Sequence, residues 1–477
     1  MLSSRGESLP LANLRRSFPP FGAGAYKDMM DTAHKTAYME NDAVFPLLMK
    51  LALPAVVGMM VNALYNVVDT IFVGQGVGPL AIAALSIVFP IQTIVSALAQ
   101  AIGVGTASII SRRLGEKRPQ EAEKALGTAL TAVTIITAVL VAALFIFMHP
   151  ILAFFGASEA TMPYAEQYAG IVGAGFFFFS LSMCASNLLR AEGNTRAAMV
   201  GMVIGALLNT VLDPLFIFGF GTGVAGAAIA TVISQFASCV YLFGMYARRK
   251  TIVPVRRENL RVRPAILGQS FALGLPSFVQ SAGLGVLVLL INTTLGKYGG
   301  DEAITIYGMI QKLNMIVIMP IIGIAQGFQP IAGYNYGARR FDRVRKSLWT
   351  ALATAFCISL FGYAFMELLP RVAISFFTRD AALLASAARV LRILVLLIPA
   401  AAIQITGSTY FQSVGKPTEA LALSLTRQFL FLIPLVLTLA RLFGVDGVWW
   451  AFPAADLLAM TVTSTLLLRE VKRLGRA

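Results

Sequence analysis

One long stretch of this chain occurs twice. Leu53-Pro54 recurs as Leu275-Pro276, Gly105 as Gly327, Gly115 as Gly337, Thr128-Ala129-Leu130 as Thr350-Ala351-Leu352, Phe154-Phe155 as Phe376-Phe377 and Gly193 as Gly415, all at one offset of 222. A constant offset sustained over roughly 140 residues specifies two copies of one structural unit with almost no insertion between them. A slip of one residue enters near the end, where Val224-Ala225-Gly226 meets Val445-Asp446-Gly447.

Composition places both copies in a membrane. The chain is 57% hydrophobic and 13% charged, with mean hydropathy +0.76, whereas soluble domains carry about 25% charged residues. Apolar segments long enough to cross about 30 Å of hydrocarbon fall at approximately 46–73, 84–111, 124–147, 164–189, 197–219 and 224–247. The second copy supplies 266–295, 303–334, 347–368, 384–412, 418–441 and 446–468. The expected fold is therefore an all-α membrane protein of twelve transmembrane helices. An even number of spans returns the chain to its starting side, so the two six-helix lobes are parallel and related by a pseudo-twofold axis along the membrane normal. The expected organisation is a disordered N-terminal tail at 1–40, a first lobe at 41–249, a cytoplasmic linker at 250–264, a second lobe at 265–470 and a C-terminal tail at 471–477.

Charge sets the expected orientation. The connections after the even-numbered spans, with the C-terminus, hold 24 Lys and Arg, against Lys297, Arg371, Arg379 and Arg441 after the odd-numbered ones. The positive-inside rule then puts both termini in the cytoplasm, with the protein in the plasma (inner) membrane. The net charge of +15 follows from this bias and from contact with membrane lipids, so nucleic acid is not an expected partner. Cys184, Cys239 and Cys357 fall inside spans without CxxC spacing, and His34 and His149 form no cluster. Neither a metal site nor a nucleophile with its base is offered, so no enzyme and no cofactor are expected.

Polar residues inside the spans are the costly feature that asks for a function. Asn62, Asn66 and Asp69 step by four and three along one helix face. Gly205, Asn209 and Asp213 step by four in the fifth span, followed by Pro214, which can free a backbone carbonyl. Thr231, Ser234, Gln235 and Ser238 make a third stripe. At about 1.5 Å rise per residue, Asp69, Asp213, Thr231 and Tyr168 all fall near the outer ends of their helices. Asn and Ser stripes commonly serve as hydrogen-bonding glue between helices. The repeat argues otherwise for the carboxylates: Asp69 maps to Ile291, Asn209 to Phe431, Asp213 to Leu435 and Asn187 to Thr409. A second unit that folds without them shows they are not needed to build the first.

These residues also carry a resemblance. Leu64-Tyr65-Asn66-Val67-Val68-Asp69, Leu188-Leu189-Arg190-Ala191-Glu192-Gly193-Asn194 and Leu208-Asn209-Thr210-Val211-Leu212-Asp213-Pro214 resemble the signatures of the multidrug and toxic compound extrusion (MATE) family, in its prokaryotic DinF-like branch, over roughly residues 40–470. The resemblance implies two lobes, alternating access, and export of amphiphilic, often cationic drugs or metabolites in exchange for Na+ or H+ by a monomer. It implies a cation site at Asp69, Asn209, Asp213 and Thr231, with Asp69 and Asp213 holding Na+ if sodium is the coupling ion, and with Tyr168, Asn187 and Asn66 in a supporting network. Bending at Pro54 and Pro214 would accompany transport. The apolar cargo cavity is expected between the lobes, lined by Met59, Met60, Phe89, Phe176 to Phe179, Met309 and Met315, since Met and Phe surfaces accommodate varied ligands. Two alternatives stand beside this reading. A lipid-linked precursor flippase of the same superfamily would carry several inward arginines, whereas here the intramembrane bases are Lys312, Arg389, Arg392 and Arg427. A passive channel would not need two carboxylates hidden in one lobe.

Overall fold

A computed structural model describes residues 35–76 and 79–475, apart from the side chains of residues 66–67, 70–71, 73–76 and 79–82. The described elements are helical. The first lobe is built from α1 (Val44–Gly76), α2 (Pro79–Gly115), α3 (Pro119–Ile146), α4 (Met162–Ala191), α5 (Thr195–Pro214) and α6 (Gly223–Ala247). The second comprises α7 (Pro264–Gly337), α8 (Phe341–Leu368), α9 (Ala381–Val395), α10 (Ile398–Ser413), α11 (Pro417–Leu425) and α12 (Ile433–Leu474). Pro119, Pro264 and Pro417 open their helices, where the fixed φ suits the first turn and the missing N–H has no helical partner to lose.

Nine helices among the described residues are long and apolar enough to cross a membrane, and α9 with α10, bent by 42°, forms a tenth such crossing. Two of the nine are double length, and each is broken at a glycine with positive φ: Gly300 (φ 65°) in α7 and Gly444 (φ 62°) in α12. Only glycine takes that backbone region cheaply. Counting each side of these breaks brings the apolar segments to twelve.

The lobes meet mainly where α7 packs on α2 and α1, and glycine makes this contact possible. A Cβ added at Gly105 would stand 1.7 Å from the Ser270 carbonyl oxygen, and one at Gly274 would stand 1.7 Å from that of Ala101. At Gly327 it would meet Ala52 Cα at 2.4 Å; at Gly115, the Tyr334 oxygen at 1.9 Å; at Gly337, the Arg112 oxygen at 2.1 Å. These contacts are pseudo-symmetric. At the offset of 222, Gly105 against Gly274 becomes Gly327 against Ala52, and Gly115 against Tyr334 becomes Gly337 against Arg112. Gly105, Gly115, Gly327 and Gly337, four of the glycines that mark the repeat in the sequence, are thus points where backbone touches backbone across the seam.

Polar bonds reinforce the closure. Thr106 Oγ1 donates to Ser270 Oγ at 2.9 Å, Ser108 Oγ donates to the Gln412 and Ser413 carbonyls, and Gln329 Nε2 donates to the Val104 carbonyl at 3.4 Å. This closed end carries the Arg and Lys clusters at the C-terminal ends of α2, α6 and α7, and is called the basic face below.

The tail and linker differ from expectation. Residues 35–41 are helical and packed, which corrects the disordered reading of that part of the tail; residues 1–34 lie outside the described residues. Met39 is buried, Asn335 Nδ2 donates to its carbonyl at 3.2 Å, and Arg343 Nη2 donates to the carbonyls of Met39 and Asp42. The linker is docked on the first lobe: Asn259 Nδ2 donates to Glu123 at 3.3 Å and Arg256 Nε lies 3.0 Å from the same carboxylate.

Glu192, just past α4, accepts two backbone bonds from this linker at Oε2, from Ile252 N at 2.8 Å and Val253 N at 2.7 Å, and is 1% exposed. Burial pushes its carboxyl up to about 8, against the lowering effect of the two N–H groups and of Lys35. A carboxyl raised in the folded state stabilises fully below its unfolded pKa of about 4.3, and this contribution is lost as pH rises through about 8. Detergent melts should therefore show the wild-type melting temperature falling between pH 5 and pH 9, and Glu192→Gln flattening that fall. An unchanged slope in the variant would remove Glu192 as its source.

Candidate functional site

A cavity of about 850 Å³ lies inside the first lobe, lined by α1, α2, α4, α5 and α6. The polar stripes explain its walls. Spacings of three and four residues put side chains on one face of a helix, and Asn62, Tyr65 and Asp69 from α1, Gly205 and Asn209 from α5, and Thr231, Ser234, Gln235 and Ser238 from α6 all line it. From the second lobe only Gln326 reaches it among the described residues, which corrects the expectation of a cavity between the lobes. Met59, Phe89 and Phe179 line it as anticipated; Met60 and Met315 do not. Phe176 is buried in the first-lobe core and Met309 in the second-lobe core.

At one end of the cavity the carboxylates converge. Asn209 Nδ2 donates to Asp213 Oδ1 at 3.1 Å and lies 3.4 Å from Thr231 Oγ1. The Thr231 hydroxyl donates to the Ala227 carbonyl at 2.9 Å, so its lone pairs face the amide. The Asp69 and Asp213 carboxyls are within hydrogen-bonding reach of each other. Asp213 is 0% exposed and Asn209 2%, while Asp69 opens onto the cavity. Tyr168 lines the same space and feels both carboxylates. Two ionised carboxylates have no proton to offer each other, so side by side they require a shared proton or a cation. Asp213 Oδ2 and Asn209 Oδ1 are buried acceptors with no hydrogen-bond partner among the described residues. An all-oxygen set of this kind suits a hard cation. No group of three or more His, Cys, Asp or Glu converges among the described residues, so any cation held here also needs the amide and the hydroxyl.

Pro214 deprives Thr210 of its helical N–H partner, and the chain continues as a π-helical turn, Leu215–Gly219, immediately after Asp213. Such turns are frequent at functional positions. By contrast, α1 stays helical through Pro54.

Not all of the expected network assembles. Asn187 lies at the other end of α4 from Tyr168, where its Nδ2 donates to Gln100 Oε1 at 3.1 Å and its Oδ1 accepts from Arg190 at 2.8 Å. It does not touch the carboxylates. The side chain of Asn66 lies outside the described residues. Arg190 itself lines the cavity and escaped sequence reasoning, because at a helix end it counts as one more positive-inside charge.

The second lobe shows what the unit looks like without a site. Ile291, the counterpart of Asp69, is fully buried in the core, and Leu435 and Phe431 pack against that core. Phe452 stands for Thr231 and stacks on Tyr307 at 5.8 Å. Gly205 and Gln235, which line the cavity, correspond to Arg427 and Asp456, an ion pair at 2.5 Å. Where the first copy leaves space, the second is filled.

The MatE family matches residues 54–215 and 276–438, once in each repeat. The multidrug export protein MepA of Staphylococcus aureus (strain N315) is 26% identical over 425 residues, covering 88% of this chain and 93% of that protein. A structure described as the outward-facing conformation of a multidrug resistance MATE family transporter of the MOP superfamily superposes with a TM-score of 0.84 at 27% identity, over 90% of this chain and 96% of the other. The MATE multidrug transporter DinF-BH in complex with R6G is 40% identical, with a TM-score of 0.84 and the same coverage.

Proposed function

The chain belongs to the MatE family, and from that premise we propose that it exports amphiphilic, often cationic compounds by alternating access, in exchange for Na+ or H+ at Asp69 and Asp213. The observation that carries this reading is the pair of facing carboxylates, with acceptors on Asp213 and Asn209 that no described residue meets, opening on a cavity of drug size. Asp69 belongs to both the cation group and the cavity wall. A cargo cation and a coupling ion therefore compete for one charge, and exchange follows if the two favour different states of the lobes.

The gate supports the same cycle. Along α1, Ala52 and Val56 at the seam precede Met59, Asn62, Tyr65 and Asp69 in the cavity; along α2, Gln100 in the cavity precedes Gly105 at the seam. The seal thus lies between the cavity and the basic face. With that face and both termini in the cytoplasm of the plasma membrane, this is an outward-facing state. Opening the seam would admit cargo from inside. We assign this activity to the monomer, since one chain supplies site, cavity and gate. The flippase alternative calls for several arginines in the main cavity: Arg389, Arg392 and Arg427 are paired with Asp446, Glu367 and Asp456, neither they nor Lys312 line it, and Arg190 alone does so among the described residues.

Counterflow in proteoliposomes tests the reading. Preloaded ethidium should exchange when an inward Na+ or H+ gradient is imposed, with one gradient effective and the other inert. Uptake and release that ignore both gradients would leave a passive pore and sink antiport.

A further inference from the structure

Arg190 is the penultimate residue of α4, is 6% exposed and lines the cavity at the end away from Asp213. Two partly buried cations of the second lobe, by contrast, sit on acids: Arg427 on Asp456 and Lys416 on Glu470, each at 2.5 Å. Arg190 has none. Its Nη2 donates to Asn187 Oδ1 at 2.8 Å and its Nη1 lies 3.9 Å from Met202 Sδ, and no carboxylate of the described residues comes within 4.0 Å. A guanidinium offers five N–H donors, and a buried charge without a counter-charge is expensive.

The repeat shows that the charge is not structural. Arg190 corresponds to Gln412, Asn187 to Thr409 and Gln100 to Ile322, so the same turn of the same unit folds with neutral side chains. In the first lobe, Asn187 also donates to Gln100 and to the Met183 carbonyl, which fixes its Oδ1 toward the guanidinium. A cation is being held still against an open cavity.

We propose that Arg190 is an anion-binding subsite that receives the carboxylate of an amphiphilic cargo whose cationic end reaches Asp69. The proposal rests on the export reading and names the cargo class: zwitterionic amphiphiles. From Met202, beside Arg190, to Asp213 is roughly 16 Å along α5 at about 1.5 Å per residue, with Met59, Phe179 and Met183 on the walls between. The guanidinium fork matches a carboxylate with two parallel bonds, which a lysine cannot do.

The experiment compares two forms of one dye, rhodamine 6G, which is an ethyl ester, and its free carboxylic acid. Binding is read by fluorescence anisotropy in a neutral maltoside. Arg190→Gln, the residue of the sister repeat, should weaken binding of the acid roughly ten- to hundredfold and leave the ester unchanged or tighter, because a like charge is removed. Arg190→Lys should retain part of the preference. Equal changes for both dyes, or an unchanged affinity for the acid, would overturn the subsite. Should Arg190→Gln fail to fold, Arg190→Lys decides by the same comparison: selective loss of the acid supports the subsite, and parallel behaviour of acid and ester removes it. If wild type discriminates the dyes through Arg190 but pumps neither in vesicles, the export reading fails and the subsite stands. If it pumps both and Arg190→Gln shifts the two affinities equally or not at all, the export reading stands and the subsite fails.

Discussion

Asp213→Asn is expected to lower dye export by at least roughly tenfold, the scale of a coupling of 1–3 kcal/mol between two sites, while the protein remains folded in the membrane. The amide preserves size and the bond to Asn209, but it carries no charge for a cation and no exchangeable proton. Ethidium efflux at matched expression is the measurement, and normal efflux would remove the proposed site. Asp213→Leu sharpens the test, since Leu435 already occupies the equivalent position, packed against the core of the second lobe. Its melting temperature should stay within a few degrees of wild type, because replacing a buried charge by an apolar side chain is often neutral or stabilising. What should vanish is stabilisation by the coupling ion. A ligand at 100 times its Kd adds about 2.7 kcal/mol to the folded state, visible as a thermal shift in NaCl over choline chloride, or with pH if the proton is the coupling ion. A leucine variant that keeps the shift would place the ion elsewhere; one that does not fold would make the carboxylate architectural.

The parts of this molecule that repeat, or that break a strict pattern, were legible in the sequence. Residues Asp69, Asn209, Asp213 and Thr231 could be found because a charge in hydrocarbon is conspicuous, and because the second copy lacks them. Helical spacing then sufficed to bring them together. Asn187 entered the expected network only through the family resemblance; counted by helical rise from Tyr168, it falls toward the basic end of α4, where the structure places it beside Gln100 and Arg190. The cavity was misplaced for a different reason. Its space comes from what is absent, Gly205 and Gln235 standing where Arg427 and Asp456 fill the second lobe, and absence leaves no hydrophobic signature. Arg190 was hidden by its position at a helix end, where Lys and Arg are ordinary. Packing of residues 35–41 was equally out of reach: the Gly and Pro of the tail lie before this segment, and nothing in its own sequence names the partners, Asn335 and Arg343, that hold it.

The seam glycines lead to the second large effect. Gly105→Ala adds one methyl group, yet that carbon would stand 1.7 Å from the Ser270 carbonyl and 2.9 Å from the Gly274 nitrogen. Both are backbone atoms in a helix and cannot step aside as a flexible side chain would. Closing the basic face then requires the lobes to part by more than an ångström, at a cost of about 1–3 kcal/mol for overpacking, which disfavours the closed seam by roughly five- to 150-fold. Two readouts should move together. Export should collapse, because the outward-facing state can no longer form tightly. A cysteine at Ser270, in a background without Cys184, Cys239 and Cys357, should become reactive to a maleimide applied from the basic face. Gly327→Ala, the pseudo-symmetric mate, should act in the same direction with a smaller effect, since its contact at 2.4 Å is less severe. Gly308→Ala supplies the control: nothing lies within 4 Å of its added Cβ, so it should keep full transport and gain helix stability of about 1 kcal/mol. If Gly105→Ala transports like wild type with Ser270→Cys still protected, the glycine seam is not the gate. If all three glycine variants lose transport equally, the effect belongs to glycine in helices at large and the argument from close approach is wrong.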